Sequence, residues 1–174
     1  MVLESIDKRK EINNLTIYHQ NIRGLNKKKD EINIMLPESQ GRLHLICLSE
    51  HHMRQEEMLD FTFPGYKVAN CFCCITYSNG GVCILARNDM TYQAIDLKRL
   101  CKEKVFEISA VKLNTCSTKV TLCCVYRTLS ENPNYFLELL EKTLNILYQP
   151  NVSLVICGDI NINFLVDSSV KQNL

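Results

Sequence analysis

Apolar runs rich in β-branched residues and cysteine recur along this chain, and they constrain its fold more than any other feature. Residues 15–20 alternate with period two, as a half-buried strand does. Seven further runs lie at residues 43–48, 66–77, 82–87, 91–97, 105–113, 120–126 and 152–157. Short runs at this spacing predict an all-β or mixed sheet architecture.

Three of these runs carry more specific predictions. The Asn79-Gly80 pair lies between runs 66–77 and 82–87, and Asn-Gly is the strongest short hairpin signal, so the two runs are predicted to form a hairpin. Run 152–157 is almost continuously apolar, which is typical of a strand buried on both faces.

Two segments predict helices. In residues 133–148, Asn132 can cap the helix and Pro133 suits its first position. The apolar stripe of this segment, which we expect to face the core, consists of Phe136, Leu139, Leu140, Leu144 and Leu147. A shorter helical pattern covers residues 28–36, and Pro37 is predicted to stop it.

Length and composition indicate one globular domain, since 174 residues with 46% hydrophobic and 22% charged side chains can bury a substantial core. No apolar run approaches the roughly 20 residues that span a bilayer, and residues 1–11 are charged where a signal peptide is apolar. We therefore expect an intracellular protein of the nucleus or cytoplasm, not secreted, with no membrane partner.

The sequence contains 10 cysteines. Five of them lie inside apolar runs, namely Cys47, Cys83, Cys123, Cys124 and Cys157. There cysteine acts as a small buried hydrophobe that a reducing compartment keeps as a thiol, so no disulfide partner is expected. Cys71 and Cys74 form a C-x-x-C pair, but no second pair follows at finger-like spacing, and zinc is the less favoured interpretation.

A net charge of +1 excludes a polybasic protein that adheres to nucleic acid by charge alone. Two local basic patches remain, Arg23 with Lys27, Lys28 and Lys29, and residues 98–104. Either patch could meet phosphates, although the second is at least as well explained as a solvated loop.

Four apolar runs end on a side chain suited to chemistry: Asn21, Glu50, Tyr126 and Asp159. Taken singly, Asn21, Glu50 and Asp159 are ordinary turn or cap residues, but four such ends predict a shared rim. Carboxylate, amide and phenol oxygens suit Mg²⁺ or Mn²⁺ better than zinc. Such a metal serves phosphodiester hydrolysis, because it neutralises phosphate and stabilises a leaving oxygen.

Five short motifs occur in a fixed order: HQNIRGL at 19–25, LSE at 48–50, GGV at 80–82, VYR at 125–127 and GDIN at 158–161. Together they resemble successive motifs of the endonuclease/exonuclease/phosphatase superfamily over residues 15–163. The first, second and fourth resemble LINE-type (non-LTR) retrotransposon endonucleases more than phosphatases or sphingomyelinases. The resemblance implies an α+β fold, a deoxyribonuclease-like two-sheet β-sandwich flanked by helices.

The same resemblance implies roles for individual residues. Glu50 would bind the catalytic magnesium, with Asn21 beside it. Asp159 would orient or deprotonate the attacking water. Asn161 would contact the scissile phosphate, and Tyr126 would pack or hydrogen-bond at it.

Residues around these positions receive less specific expectations. Arg23, Lys27 and Arg127 would contact nucleic acid, with DNA as the partner. His51 and His52 follow Glu50 in a loop, where they are expected to be surface or substrate-side residues.

The sequence also departs from the family pattern. Ile160 stands where the family usually has phenylalanine, and Thr128 stands where it often has proline. The closing serine-aspartate-histidine motif has no counterpart before Leu174. Residues 15–174 are therefore expected to form a partial domain, incomplete at its C-terminus, after an N-terminal extension at residues 1–14.

Three functions remain open at this point. The resemblance implies magnesium-dependent nicking of DNA by a retrotransposon endonuclease. One alternative is a truncated, non-catalytic relic that at most binds nucleic acid through Arg23 and residues 27–29. The other is a phosphatase or phospholipase of the same superfamily, since these classes share the metal site.

Overall fold

The computed structural model describes residues 14–38, 43–114 and 119–162. Most of the expected N-terminal extension and the last twelve positions, 163–174, lie outside these ranges. In chain order, the elements are β1 (Ile17–Asn21), α1 (Leu25–Glu38), β2 (Leu45–Ser49), α2 (Gln55–Leu59), β3 (Tyr66–Phe72), β4 (Val82–Arg87), β5 (Tyr92–Ile95), β6 (Glu107–Asn114), β7 (Lys119–Tyr126), α3 (Pro133–Leu147) and β8 (Ser153–Asp159).

The strands form two four-stranded sheets, with orders β1-β2-β4-β3 and β5-β6-β7-β8. Strands β1 and β2 are parallel, and so are β7 and β8, whereas the other neighbouring pairs are antiparallel. The sheets pack face to face with helices outside them. The expected α+β fold with a two-sheet sandwich is therefore confirmed.

Strand alternation divides the apolar residues into three cores. The core between the sheets contains Cys47 and Ile84 from the first sheet and Leu122 and Cys124 from the second. On the outer face of the first sheet, Ile46 and Leu85 pack with Ile32 of α1 and Met58 of α2, and α3 covers the outer face of the second sheet. Strands β2, β4 and β7 are buried on both faces, which explains their continuous apolar sequences.

Helix α3 forms as predicted, one residue shorter at its end. The Asn132 side-chain oxygen accepts a hydrogen bond of 2.9 Å from the Asn134 backbone N–H, and Pro133 occupies the first turn. Phe136, Leu140 and Leu147 are buried against the second sheet. No helix in the described ranges is long and apolar enough to cross a membrane.

The predicted antiparallel pairing of the two runs is confirmed, since β3 pairs with β4, but the predicted tight turn at Asn79-Gly80 is wrong. Strand β3 ends at Phe72, which pairs with Val82, so residues 73–81 form a long connection. This connection leaves the sheet because the second sheet binds it: the Glu107 carboxylate accepts hydrogen bonds from the Gly81 N–H at 2.6 Å and the Cys74 thiol at 3.3 Å.

Two further predictions need correction. Strand β8 is not buried on both faces, since Ile156 is 44% exposed and β8 pairs only with β7 among the described strands. Helix α1 begins at Leu25, earlier than predicted, and Pro37 lies in its last turn rather than beyond it. The short helix α2 was not predicted, because five residues are too few to show a helical period.

We expect Gly158→Ala to destabilise the fold by about 2–4 kcal/mol, measured by urea unfolding. Gly158 has a φ of 151°, and a Cβ there would collide with the Val125 carbonyl of the neighbouring strand. Gly65→Ala is the matched control, because Gly65 has a φ of 79° but a Cβ there meets nothing within 4 Å. Gly65→Ala should lower the free energy of unfolding by about 1–2 kcal/mol, the cost of a left-handed backbone for alanine. Equal decreases in the two variants would contradict this prediction.

Candidate active site

The carboxyl ends of four strands meet at one edge of the sandwich. In the parallel pair β1–β2, Asn21 lies opposite Ser49, and in the parallel pair β7–β8, Tyr126 lies opposite Asp159. Parallel strands end on the same side of a sheet, and the two pairs face each other across the core. The structure thereby brings Asn21, Glu50, Tyr126 and Asp159 together from distant parts of the chain.

The Asn21 amide joins the two carboxylates of this edge. Its Nδ2 donates hydrogen bonds of 2.7 Å to Oε1 of Glu50 and of 2.7 Å to Oδ2 of Asp159. Its Oδ1 is buried and has no hydrogen-bond partner. An unpaired buried amide oxygen beside two carboxylates costs free energy unless it meets a cation or a donor.

This donor set fits a hard divalent cation. Glu50 and Asn21 supply carboxylate and amide oxygens, which Mg²⁺ and Mn²⁺ prefer. The buried, unpaired Oδ1 of Asn21 is the oxygen that such an ion would satisfy. The residues present therefore agree with the expected magnesium site.

Backbone hydrogen bonds hold this edge beyond the ends of β1 and β2. The Ile22 N–H donates to the Ser49 carbonyl at 2.9 Å, and the Gly24 N–H donates to the Glu50 carbonyl at 2.8 Å. Among the described residues, six that are not glycine have positive φ. Four of these six lie at this edge: Arg23, Glu50, His52 and Asn161. Such conformations cost about 1–3 kcal/mol each and cluster at functional sites.

His51 is fully buried, which contradicts the expectation of a surface or substrate-side residue. Its Nδ1 accepts the Met53 N–H at 3.0 Å, so the proton lies on Nε2, 3.0 Å from the Phe72 carbonyl. Burial lowers the pKa of His51 to about 4, which keeps the ring neutral. A Cβ at Gly81 would collide with this ring, so glycine is required there.

His52 agrees better with the sequence expectation. It is partly exposed, and its Nε2 lies 3.4 Å from Oε2 of Glu50. The neighbouring histidines thus have different roles, because His51 anchors the loop and His52 lies beside the carboxylate.

Asp159 and Asn161 are positioned by their own strand end and by Arg127. The Asn161 N–H donates to Oδ1 of Asp159 at 3.2 Å, and the Asn161 Nδ2 donates to the Arg127 carbonyl at 2.6 Å. The Arg127 guanidinium donates to the carbonyls of Ile160 at 2.8 Å and Asn161 at 2.7 Å. It holds the segment that carries the candidate phosphate contact.

Arg127 therefore does not present its charge to nucleic acid, contrary to the expectation from sequence. Its side chain is 3% exposed, and the carbonyls of Thr128 and Glu131 accept further hydrogen bonds from it. The contact role of Arg127 was implied by the family resemblance of the VYR motif, which does not show where the side chain points.

Tyr126 lies almost completely inside the site. It is 5% exposed, and burial first, then the adjacent Glu50 carboxylate, raise the pKa of its phenol. The phenol therefore keeps its proton and can donate a hydrogen bond.

Arg23 and Lys27 line an exposed cleft next to the carboxylates. This cleft of about 280 Å³ also includes Asn26 and His52. His52 lines the cleft and also lies 3.4 Å from Glu50. The positively charged side chains of Arg23 and Lys27 therefore lie next to the candidate metal ligands. This is where a phosphate backbone would gain most from positive charge.

Glu107 is a buried residue that the sequence reasoning missed. It is fully buried, and besides Gly81 its carboxylate accepts the Lys104 N–H at 2.8 Å. Burial raises its pKa. A single carboxylate inside the apolar run 105–113 was the available signal, because such a group needs buried donors.

Solved structures share this fold. The endonuclease domain of TRAS1, a telomere-specific non-LTR retrotransposon, matches 91% of this chain with a TM-score of 0.65 and 15% identity. An endonuclease/exonuclease/phosphatase family protein from Leptotrichia buccalis matches 92% with a TM-score of 0.65 and 14% identity. TDP2 from D. rerio, complexed with a single-strand DNA product, matches 86% with a TM-score of 0.63 and 13% identity.

These likenesses establish that the chain has the endonuclease/exonuclease/phosphatase fold. The chain spans 67%, 71% and 61% of the lengths of these three structures. No protein-family model matches the sequence, and no curated protein matches it significantly.

The buried neutral state of His51 predicts a loss of stability in weak acid. Its pKa is about 4 in the folded chain and about 6.5 when unfolded, so the unfolded chain binds more protons between these values. The stability gained from keeping His51 neutral in the folded chain is complete above pH 6.5 and is lost as the pH falls toward 4. We expect a loss of about 2 kcal/mol between pH 7 and pH 5, measured by urea unfolding.

The variant His51→Gln is the control, because glutamine cannot titrate in this range. Its stability should depend less steeply on pH between 7 and 5, even if it is lower overall. Identical slopes in the two proteins would show that His51 does not cause the loss.

Proposed function

We propose that this chain is a divalent-metal-dependent phosphodiesterase that nicks DNA, as the endonuclease of a non-LTR retrotransposon does. The observation that carries the proposal is the Asn21 amide, which joins Glu50 and Asp159 from different sheets and keeps one buried oxygen unpaired. A buried acceptor without a partner costs free energy, and a bound cation would satisfy it.

Glu50 and the Oδ1 of Asn21 are the proposed ligands of Mg²⁺, with Mn²⁺ as a substitute. When bound, the ion supplies positive charge that neutralises the phosphate and stabilises the leaving oxygen. The backbone of Glu50 is left-handed, with a φ of 54°, at the position where its carboxylate would bind the ion.

Asp159 is the proposed general base. Its Oδ1 accepts the Asn161 N–H and its Oδ2 accepts the Asn21 amide, so the carboxylate is fixed from both sides. From this position it would orient a water molecule and take its proton as the phosphorus is attacked.

Asn161 and Tyr126 are the proposed hydrogen-bond donors to the phosphate. The phenol of Tyr126 keeps its proton because burial raises its pKa, and Arg127 holds Asn161 in place. Fixed donors stabilise the charge that accumulates on phosphate oxygens in the transition state.

DNA is the proposed substrate for two reasons. Arg23 and Lys27 flank the carboxylates in an exposed cleft, as a polyanionic backbone requires. The retrotransposon origin is favoured by the HQNIRGL, LSE and VYR motifs and by the likeness to the TRAS1 endonuclease domain.

Nicking of supercoiled plasmid tests the proposed activity. We expect relaxed plasmid to appear with Mg²⁺, to disappear with EDTA, and to decrease about 10²–10³-fold in Glu50→Gln and Asp159→Asn. The matched control is Glu141→Gln, an exposed carboxylate on α3, which should nick like the parent chain.

Two results would contradict this prediction: nicking that survives EDTA, or nicking that Glu50→Gln leaves unchanged. Binding of Mn²⁺, measured by electron paramagnetic resonance, gives a readout that does not need turnover. We expect one bound ion, lost in Glu50→Gln and retained in Glu141→Gln. If a phospholipid or an inositol phosphate is hydrolysed in preference to DNA, DNA is not the substrate.

The cleft makes a separate prediction about DNA binding. Arg23→Ala and Lys27→Ala should each reduce the slope of log K against log salt by about one unit, because each removes a phosphate contact. The control is Lys119→Ala, since Lys119 is exposed at the start of β7, the opposite end from Tyr126. Titration of a fluorescent DNA duplex at several salt concentrations measures the slope, and equal changes in all three variants would exclude a specific cleft.

A further inference from the structure

Three thiols meet inside the sandwich, beneath the candidate active site. Cys47, Cys124 and Cys157 lie on β2, β7 and β8, and their Sγ atoms are all within 4.8 Å of one another. Cys47 and Cys124 are fully buried, Cys157 is partly buried, and all three are free thiols. Within the described ranges, no other group of three metal-ligating side chains meets so closely.

Strand register makes this cluster one layer of the sandwich. Side chains two residues apart on a strand share a face. Cys124 and Cys157 are register partners, two residues before Tyr126 and Asp159. His19 and Cys47 are register partners in the same way, two residues before Asn21 and Ser49. The layer below the active site therefore holds three thiols and one imidazole.

We propose that this layer is a zinc site with Cys47, Cys124 and Cys157 as thiolate ligands and His19 as the fourth ligand. Three cysteines and one histidine are a common structural zinc set. In a triangle with sides of at most 4.8 Å, each sulfur lies within about 2.8 Å of the centre. Zinc–sulfur bonds are about 2.3 Å, so each sulfur needs to move inward by only about half an ångström.

The three thiols are in neither disulfides nor strong hydrogen bonds. The Cys157 and Cys124 thiols donate only weak hydrogen bonds, to the Cys123 carbonyl at 3.5 Å and to the Leu48 carbonyl at 3.7 Å, which bonds to a metal would replace. His19 is the register partner of Cys47 on the neighbouring strand, so it belongs to the same layer. Its Nε2 lies 3.3 Å from the Ser49 hydroxyl, and only the three sulfurs lie within 4.8 Å of one another, so the ring has to turn from Ser49 toward the sulfurs to bind the ion.

The zinc layer is chemically distinct from the oxygen site above it. Thiolate and imidazole select zinc, whereas carboxylate and amide oxygens select Mg²⁺ or Mn²⁺. Because β2 belongs to the first sheet and β7 and β8 to the second, a bound ion would also link the two sheets. Zinc binding by this layer requires no phosphodiesterase activity.

Metal binding by the reduced, metal-free full chain tests this proposal. Cobalt(II) should give an intense thiolate-to-metal charge-transfer band at one equivalent, even with excess Mg²⁺, and zinc should displace it. Zinc should also raise the melting temperature, because it binds only the folded layer. Competition with a chromogenic chelator gives the zinc affinity.

Variants assign the ligands. We expect Cys157→Ser to lose the band and to weaken zinc binding at least tenfold, and His19→Ala to weaken it while a band remains. The matched control is Cys71→Ser, since Cys71 is also partly buried but lies outside the cluster, and it should bind like the parent chain. Circular dichroism checks that each variant is folded.

Two outcomes would overturn the zinc site. One is the absence of a charge-transfer band in the parent chain, and the other is zinc binding by Cys157→Ser that equals that of Cys71→Ser. Unchanged affinity in His19→Ala would remove His19 from the ligand set. If Cys157→Ser is unfolded, Cys47→Ser provides the same comparison on the other sheet.

Discussion

The hydrogen bonds of one asparagine amide hold together the edge on which the functional interpretation depends. Glu50 and Asp159 belong to different sheets, and their negative charges would repel each other at close range. Asn21 lies between them and donates to both at 2.7 Å. The topology makes this contact possible, since parallel pairing of β1 with β2 and of β7 with β8 brings four strand ends to one side.

Around this bridge, three buried polar side chains hydrogen-bond to backbone groups of the neighbouring loops. His51, Arg127 and Glu107 are all buried, and each satisfies backbone groups of loops near the site. Loops carry backbone N–H and carbonyl groups that need partners when water is excluded. Rigid loops of this kind allow strained residues such as Glu50 to persist.

Local sequence signals predicted most of the fold. Alternation and apolar runs located the strands, and Asn132 with Pro133 located α3, because these features act over a few residues. The ordered motifs predicted which side chains would meet. Burial of Arg127 and His51, and the detour at residues 73–81, could not be predicted, because their partners are Asn161, Phe72 and Glu107, far along the chain. Hydrophobic periodicity also cannot show that β8 has one neighbouring strand among the described residues.

The exposed outer face of β8 makes the two halves of the site unequal in local stability. Glu50 follows β2, which is flanked by strands on both sides, whereas Asp159 ends a strand with one described neighbour. Local opening free energies follow such differences in burial and pairing. Amide hydrogens of β8 would therefore exchange with solvent before those of β2, and partial opening would withdraw Asp159, the proposed base, while Glu50, the proposed metal ligand, stays in place.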